Sequence, residues 1–460
     1  YLRMNDSRII YELTETQYKT LMGVKDEYKD KTFSILVVGE VSGTYQSDDF
    51  TTSAGSGGID YGDTFYTEVK ARNDKVESDY GLTLDVQKLD SPRSAAENDA
   101  LSGTYLYDAM ILNVNDMVIL AQGGYLADLN KLENFDNAAP WWDQSASKAY
   151  SISNHLYFTT GDITIMNKAN TWSILFNKDM VKQNGLESPY DLVDSGDWTF
   201  DKMCELAKAV NTAEKPQDCE DATKVFGMVS AYGDIQEFWG GCHHTITDKN
   251  AADEPELVFG KDEASINDLQ HILEVMKDAY WNFYAQRVNF TKQFETFYTG
   301  RALFRPSGFT ATTKCRFLAE MEFGIVPLPK RNKEQDGYTT VTTGTFVAGI
   351  LKNCEDPEFS AYCLDAFAAE AKNFVTPAYI DSNLKWKSLR DNESERMLDY
   401  IFSHITYDVG RIYNFGEINQ MFSNLASSDS TDVVSSFDGI RTNVELAIEN
   451  IIADYRANEG

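Results

Sequence analysis

Carboxylates abound in this chain, 72 Asp and Glu among 460 residues, yet no subset forms a recognisable catalytic arrangement. Glycoside hydrolysis needs two opposed carboxylates at a set separation, and no pair stands out. A serine nucleophile elbow, a P-loop and a dinucleotide GxGxxG are all missing. Cys242-His243-His244 places three metal-ligating residue types side by side. Adjacent residues seldom point to one centre, however, and neither HExxH nor CxxC supports a metal there. Asp248 to Glu254 is acidic but lacks the alternating spacing of a calcium loop, so a solvated loop is expected. No catalytic residue, metal or cofactor is therefore expected. What remains is binding chemistry. Tyr, Phe and Trp make up 13% of the chain, and those beyond the needs of a core suit a site that stacks on flat apolar faces.

The formal net charge of -31 repels phosphate backbones and anionic headgroups, which excludes nucleic acid and membrane surfaces as main ligands. Six cysteines (Cys204, Cys219, Cys242, Cys315, Cys354 and Cys363) are even in number and allow fifteen pairings. Cys204 with Cys219 is the favoured pair. Buried free thiols are the alternative, because a chain this long folds without staples. No run of eighteen apolar residues exists to cross a bilayer.

At this length one hydrophobic core stops growing, so two or more domains are expected. Residues 1–30 are polar and read as a tether or lead-in. Phe33 to Glu40 is a near-continuous apolar strand, the pattern of a strand covered on both faces. A Gly- and Ser-rich loop follows, then a helix over 64–80 that stops at Gly81, a strand over 82–89, a helix near 92–101 and a strand over 108–113. Strands alternating with helices argue for a parallel sheet. Ligands of such sheets sit outside the carboxyl ends of the strands. That rule singles out Glu40, with Tyr45 in the loop beyond it, and Asn115 with Asp116. Helix capping is the competing role for the last two. Further along, Thr199 is an N-cap for a helix over 200–210, and a strand covers 225–230. Apolar spacing predicts a helix over 264–281, another runs from Phe290 to Tyr298, and strands fall at 302–304, 323–326 and 339–351. The last hundred residues are mainly helical.

Four segments, in order, resemble the carbohydrate class of extracellular solute-binding proteins, the group that includes maltodextrin-binding protein. They are Tyr107 to Asp116 with Leu120 to Leu129, His155 to Asp162 with Trp172 to Asp179, Trp198 to Met203 with Val225 to Met228, and Phe297 to Phe304 with Phe323 to Lys330. The resemblance covers most of 31–460. It implies a periplasmic-binding-protein-like α/β fold, with two lobes joined by a three-crossing hinge. The crossings are expected near 162–172, 301–308 and 338–346. Lobe one is then 31–162 plus 307–338, and lobe two 168–302 plus 345–460.

The resemblance further implies a monomeric receptor that catalyses nothing, captures a sugar or oligosaccharide by hinge closure and delivers it to the permease subunits of an ABC importer. It implies an extracellular location, lipid-anchored to the outer face of a Gram-positive cytoplasmic membrane. Sugar rings offer flat C–H faces and a rim of hydroxyls, so aromatics, carboxylates, amides and Arg are the expected contacts. On this basis Trp239, Tyr413 and Phe415 are expected stacking rings. Asp162 at the first crossing is an expected hydroxyl acceptor, and Arg305 at the second is expected to hold hydroxyls or a carboxylate. Core packing competes for each ring, a turn role for Asp162 and a salt bridge for Arg305. Trp141, Trp142 and Trp386 are further candidates. A peptide, polyamine or anion on the same fold is the rival ligand, and a glycoside-acting enzyme the rival class.

Overall fold

The computed structural model describes residues 4–5, 8–9, 25–39, 46–54, 59–277, 280–312, 315, 320–342, 344–384, 392–428 and 430–458. Ten strands build two five-stranded sheets: β1 (Thr32–Val38), β2 (Thr83–Leu89), β3 (Ala109–Asn113), β4 (Phe158–Thr159), β5 (Trp172–Asn177), β6 (Phe226–Ser230), β7 (Asn282–Tyr284), β8 (Ala302–Gly308), β9 (Phe323–Val326) and β10 (Phe346–Gly349). The helices that matter below are α1 (Asp63–Tyr80), α2 (Pro92–Ser102), α3 (Val114–Gln122), α4 (Phe200–Val210), α5 (Asp234–Gly241), α6 (Glu263–Met276), α7 (Phe290–Tyr298), α8 (Pro357–Asn373), α9 (Val375–Tyr379), α10 (Val409–Ile412), α11 (Ile418–Ser427) and α12 (Arg441–Ala457).

The chain divides into two compact units, 1–166 with 346–379, and 167–345 with 380–460. In unit 1 the strand order is β2-β1-β3-β10-β4. β1 pairs in parallel with β2 and β3, while β10 runs antiparallel between β3 and β4. Phe33 and Ile35 to Val38 are buried, as a strand covered on both faces requires. Phe33 stacks on Phe367 of α8, with ring centroids 5.6 Å apart. α1 ends at Gly81, whose φ of 68° is left-handed and is readily adopted only without a Cβ.

In unit 2 the order is β7-β6-β8-β5-β9, with β7, β6 and β8 parallel and β5 antiparallel between β8 and β9. α4 opens at Thr199, whose hydroxyl oxygen accepts from the Lys202 amide at 3.2 Å. Trp198 packs on Phe304 of β8 at 5.6 Å.

Several expectations need correction. Residues 307–338 lie in unit 2, not in lobe one, because β9 is zipped antiparallel to β5 from Phe323 to Val326. Residues 346–379, expected in lobe two, lie in unit 1, because β10 pairs with β3 and β4 and α8 packs on α1. The chain passes between units at 166/167, 345/346 and 379/380. The stretch 301–308 is no crossing, since β8 lies inside the unit 2 sheet. The lead-in packs at its end: Tyr28 is buried against Phe359 and Tyr362. The helix expected over 264–281 stops at Met276, and Tyr280, read as part of its apolar face, is 56% exposed. All six cysteines are free and buried, so Cys204 and Cys219 form no bridge. Among the described residues no helix is long and apolar enough to cross a membrane.

Candidate functional site

The carboxyl ends of β1, β2 and β3 lie together in unit 1, because these strands are parallel. The helices that follow, α2 and α3, both start there. Asn113 caps α3 by accepting from the Asn115 amide at 2.9 Å. The cap is thus supplied two residues before Asn115, and neither the Asn115 nor the Asp116 side chain is used for it. Asn115 is exposed. Asp116 meets Arg93 of α2 at 3.2 Å, both side chains being 37% exposed, and Arg93 also reaches Glu97 at 3.0 Å. Desolvation raises the Asp116 carboxyl above its usual range despite Arg93. Lys88, near the end of β2, pairs with buried Asp48 at 2.8 Å. This edge therefore offers an amide, a carboxylate and cations, the groups that bind hydroxyls. Glu40 and Tyr45 lie outside the described residues, as does Trp386.

Asp162 is occupied within unit 1. Its two carboxylate oxygens accept from Thr376 at 2.9 Å and Lys372 at 3.3 Å, and the residue is 8% exposed. The expected hydroxyl acceptor instead ties the segment entering the 166/167 passage to α8 and α9, which lead to the 379/380 passage. Trp141 and Trp142 are buried as well, both indole N–H groups donating to Asp365.

In unit 2 the expected stacking rings are core. Trp239 is 1% exposed on α5. Its indole donates to the Ser265 carbonyl at 2.9 Å, and its ring packs among His244, Phe259 and Phe422. Tyr413 stacks on Phe415 at 5.5 Å, its hydroxyl bonds that of Tyr455 on α12, and both rings are buried. Arg305 is 3% exposed on β8, its guanidinium 3.6 Å from the Phe294 ring of α7. Burial lowers its proton affinity. It is therefore shielded by protein rather than offered to a ligand. Mid-strand placement explains this: one face of β8 must lie under α7.

The carboxyl ends of β6 and β7 carry groups that the sequence reading missed. After Ser230 the chain turns through Ala231, Tyr232 and Gly233 into α5, with the Asp234 carboxylate accepting from the Ala231 amide at 2.7 Å. Burial holds that carboxyl well above its usual range. Gln286, just past β7, accepts from the Tyr232 amide at 3.1 Å. The half-buried Tyr232 ring lies 4.9 Å from Tyr284, and the Arg287 guanidinium lies 5.2 Å from the Tyr284 ring. An aromatic face, an amide and a guanidinium thus meet at two adjacent strand ends. The available signal was the Ala-Tyr-Gly-Asp turn directly after a predicted strand. β7 itself, only three residues long, was not among the expected strands.

A strained loop adjoins this cluster. Asn414, Gly416 and Glu417 have φ of 49°, 58° and 62°, and for Asn414 and Glu417 this left-handed backbone is unusual. Gln236 in the first turn of α5 donates to Asn419 at 2.8 Å, Asn419 donates to the Arg411 carbonyl at 2.7 Å, and Arg411 pairs with Glu237. Such over-determined strain gathers at ligand clamps. Tyr413 and Phe415 serve here as anchors that hold exposed Asn414 and Glu417 in place.

His244 is bound to Asp268 at 2.7 Å, and no group of three His, Cys, Asp or Glu that could hold a metal occurs among the described residues.

No protein-family model matches the chain, and no curated protein matches it. Solved structures do. The chain is similar to a sugar transporter from Rhizobium etli, with a TM-score of 0.59, 14% identity and coverage of 91% of this chain and 99% of that one. It is similar to an ABC substrate-binding protein from Listeria monocytogenes in complex with cycloalternan, with a TM-score of 0.56, 14% identity and coverage of 92% and 98%. UgpB from Mycobacterium tuberculosis in complex with glycerophosphocholine gives 0.56, 17% identity and coverage of 84% and 96%. The fold is that of the substrate-binding proteins of ABC importers: two α/β units with mixed sheets.

Proposed function

We propose that this chain is the receptor of an ABC importer, that its ligand is a sugar or oligosaccharide, and that it hands the ligand to permease subunits without chemical change. The observation that carries this reading is the grouping of Tyr232, Gln286 and Arg287 at the carboxyl ends of β6 and β7. A ring face for sugar C–H groups sits there beside donors and acceptors for hydroxyls. Within unit 1, Asn115 and Asp116 offer polar groups of the same kind at the end of β3. The structures of similar fold include receptors in complex with cycloalternan and raffinose, which fits the sugar class. We place the protein outside the cytoplasmic membrane, anchored by lipid.

Arg287 favours one alternative, a ligand with a phosphate or carboxylate group, since a guanidinium on a ring face can still donate at its edge. A thermal-shift screen over mono- and oligosaccharides, glycerophosphodiesters, peptides and polyamines separates the two. The true ligand raises the melting temperature with the logarithm of its concentration above Kd. Tyr232→Ala is expected to weaken that ligand about 10- to 100-fold, the equivalent of exposing one aromatic face. A response to phosphodiesters alone would replace the sugar reading, and conversion of the ligand during incubation would replace the receptor reading.

A further inference from the structure

A second group of exposed chemistry lies at the other end of the unit 2 sheet. Trp281 directly precedes β7. Asn211 to Ala213 follow α4 and are tied to the amino end of β6, where the Thr212 and Ala213 amides donate to the Val225 carbonyl at 2.9 and 3.2 Å. Between this segment and the last turn of α6 runs a groove of about 600 Å³ lined by Lys208, Asn211, Glu214, Glu274, Tyr280 and Trp281. It faces away from the carboxyl ends that carry Tyr232 and Gln286.

Its chemistry narrows the ligand. Tyr280 is 56% exposed, a large ring held at the surface with no core to serve. Two glutamates make the groove unsuited to a phosphate or carboxylate. A quaternary ammonium would seek the Trp281 face, but Lys208 already stands 5.7 Å from that ring. Asn211 donates its amide to the Ala213 carbonyl at 2.9 Å, while its Oδ1 is enclosed and, among the described residues, nothing donates to it. That oxygen is sealed from the groove, so Asn211 forms part of its wall. Carboxylates and an ammonium beside an exposed ring fit a neutral, hydroxyl-rich molecule with apolar faces.

We propose that this groove is a second carbohydrate site, holding a glycan segment on Tyr280 while its hydroxyls bond Lys208, Glu214 and Glu274. It is independent of the strand-end site.

The test uses the full chain labelled with ¹⁵N, following the Trp281 indole resonance (assigned with Trp281→Phe) during titration with tetrasaccharides of glucose, mannose, xylose and galactose. At least one is expected to shift it with Kd of order 1 mM, as befits an open groove. Tyr280→Ala, an exposed substitution, is expected to raise that Kd at least about tenfold, the loss of one ring face. Tyr232→Ala is expected to leave it unchanged, which keeps this result separate from the fate of the strand-end site. The proposal is overturned by any of three results: no tetrasaccharide moves the Trp281 resonance, the shift survives Tyr280→Ala, or tetramethylammonium or inorganic phosphate produces it in place of sugar.

Discussion

Asp365→Ala is expected to lower the stability of unit 1 by about 3–5 kcal/mol, the largest single effect we anticipate in that unit. Asp365 lies in α8 and is 1% exposed. Its Oδ1 accepts from the indoles of Trp141 (2.7 Å) and Trp142 (2.5 Å), and its Oδ2 accepts from the Asp136 amide at 2.7 Å. Alanine strands three buried donors at once and leaves a void between two tryptophans. Burial raises the carboxyl to about 6, the three donors opposing the shift. The unfolded value is near 3.9. The folded state therefore holds the proton more tightly, and the stabilisation from that proton is full below about pH 4 and lost as pH rises through about 6. Asp365→Asn cannot titrate. The difference in unfolding free energy between wild type and Asp365→Asn should thus shift in favour of wild type from pH 7 to pH 4, by up to about 3 kcal/mol. Urea unfolding across this range reads the slope directly. A flat difference would mean that the three donors hold the carboxylate ionised.

Trp239→Ala is the second. Trp239 fills the space between α5, Phe259 and Phe422 and bonds the Ser265 carbonyl. Truncation is expected to cost about 3–5 kcal/mol through lost burial and the cavity left behind. Ligand affinity, measured well below the unfolding transition, is expected to change less than about threefold. Trp239→Phe should recover most of the stability and none of the Ser265 bond. The opposite pattern, an unchanged unfolding midpoint with ligand binding lost, would return Trp239 to the binding surface.

The contrast shows where sequence is informative. β1, the helix that follows it and the Thr199 cap were legible because they rest on local signals: an apolar run, a glycine stop, a side chain that accepts from its own helix. The allotment of strands to sheets was not. Phe323–Val326 and Phe346–Gly349 are short, wholly buried segments, and nothing in such a segment names its neighbour. The site residues divided in the same way. Asn115 and Asp116 were chosen from strand direction, a rule about topology, and they do follow the carboxyl end of β3. Trp239, Tyr413 and Phe415 were chosen for ring type, and a ring that holds a core is the same residue as one that holds a ligand. Tyr232 was overlooked because its importance comes from Gln286 and Tyr284, more than fifty residues away and on another strand.

The interleaving of the two units bears on how the molecule is made. β10 is the strand that joins β4 to the rest of its sheet, and it is synthesised only after every strand of the unit 2 sheet. Until then a nascent chain holds β3 with a bare edge, its amides and carbonyls open to any passing strand. A ribosome stalled before Phe346 would release a half-built sheet prone to wrong partners, and synthesis through Gly349 is the earliest point at which that hazard can close.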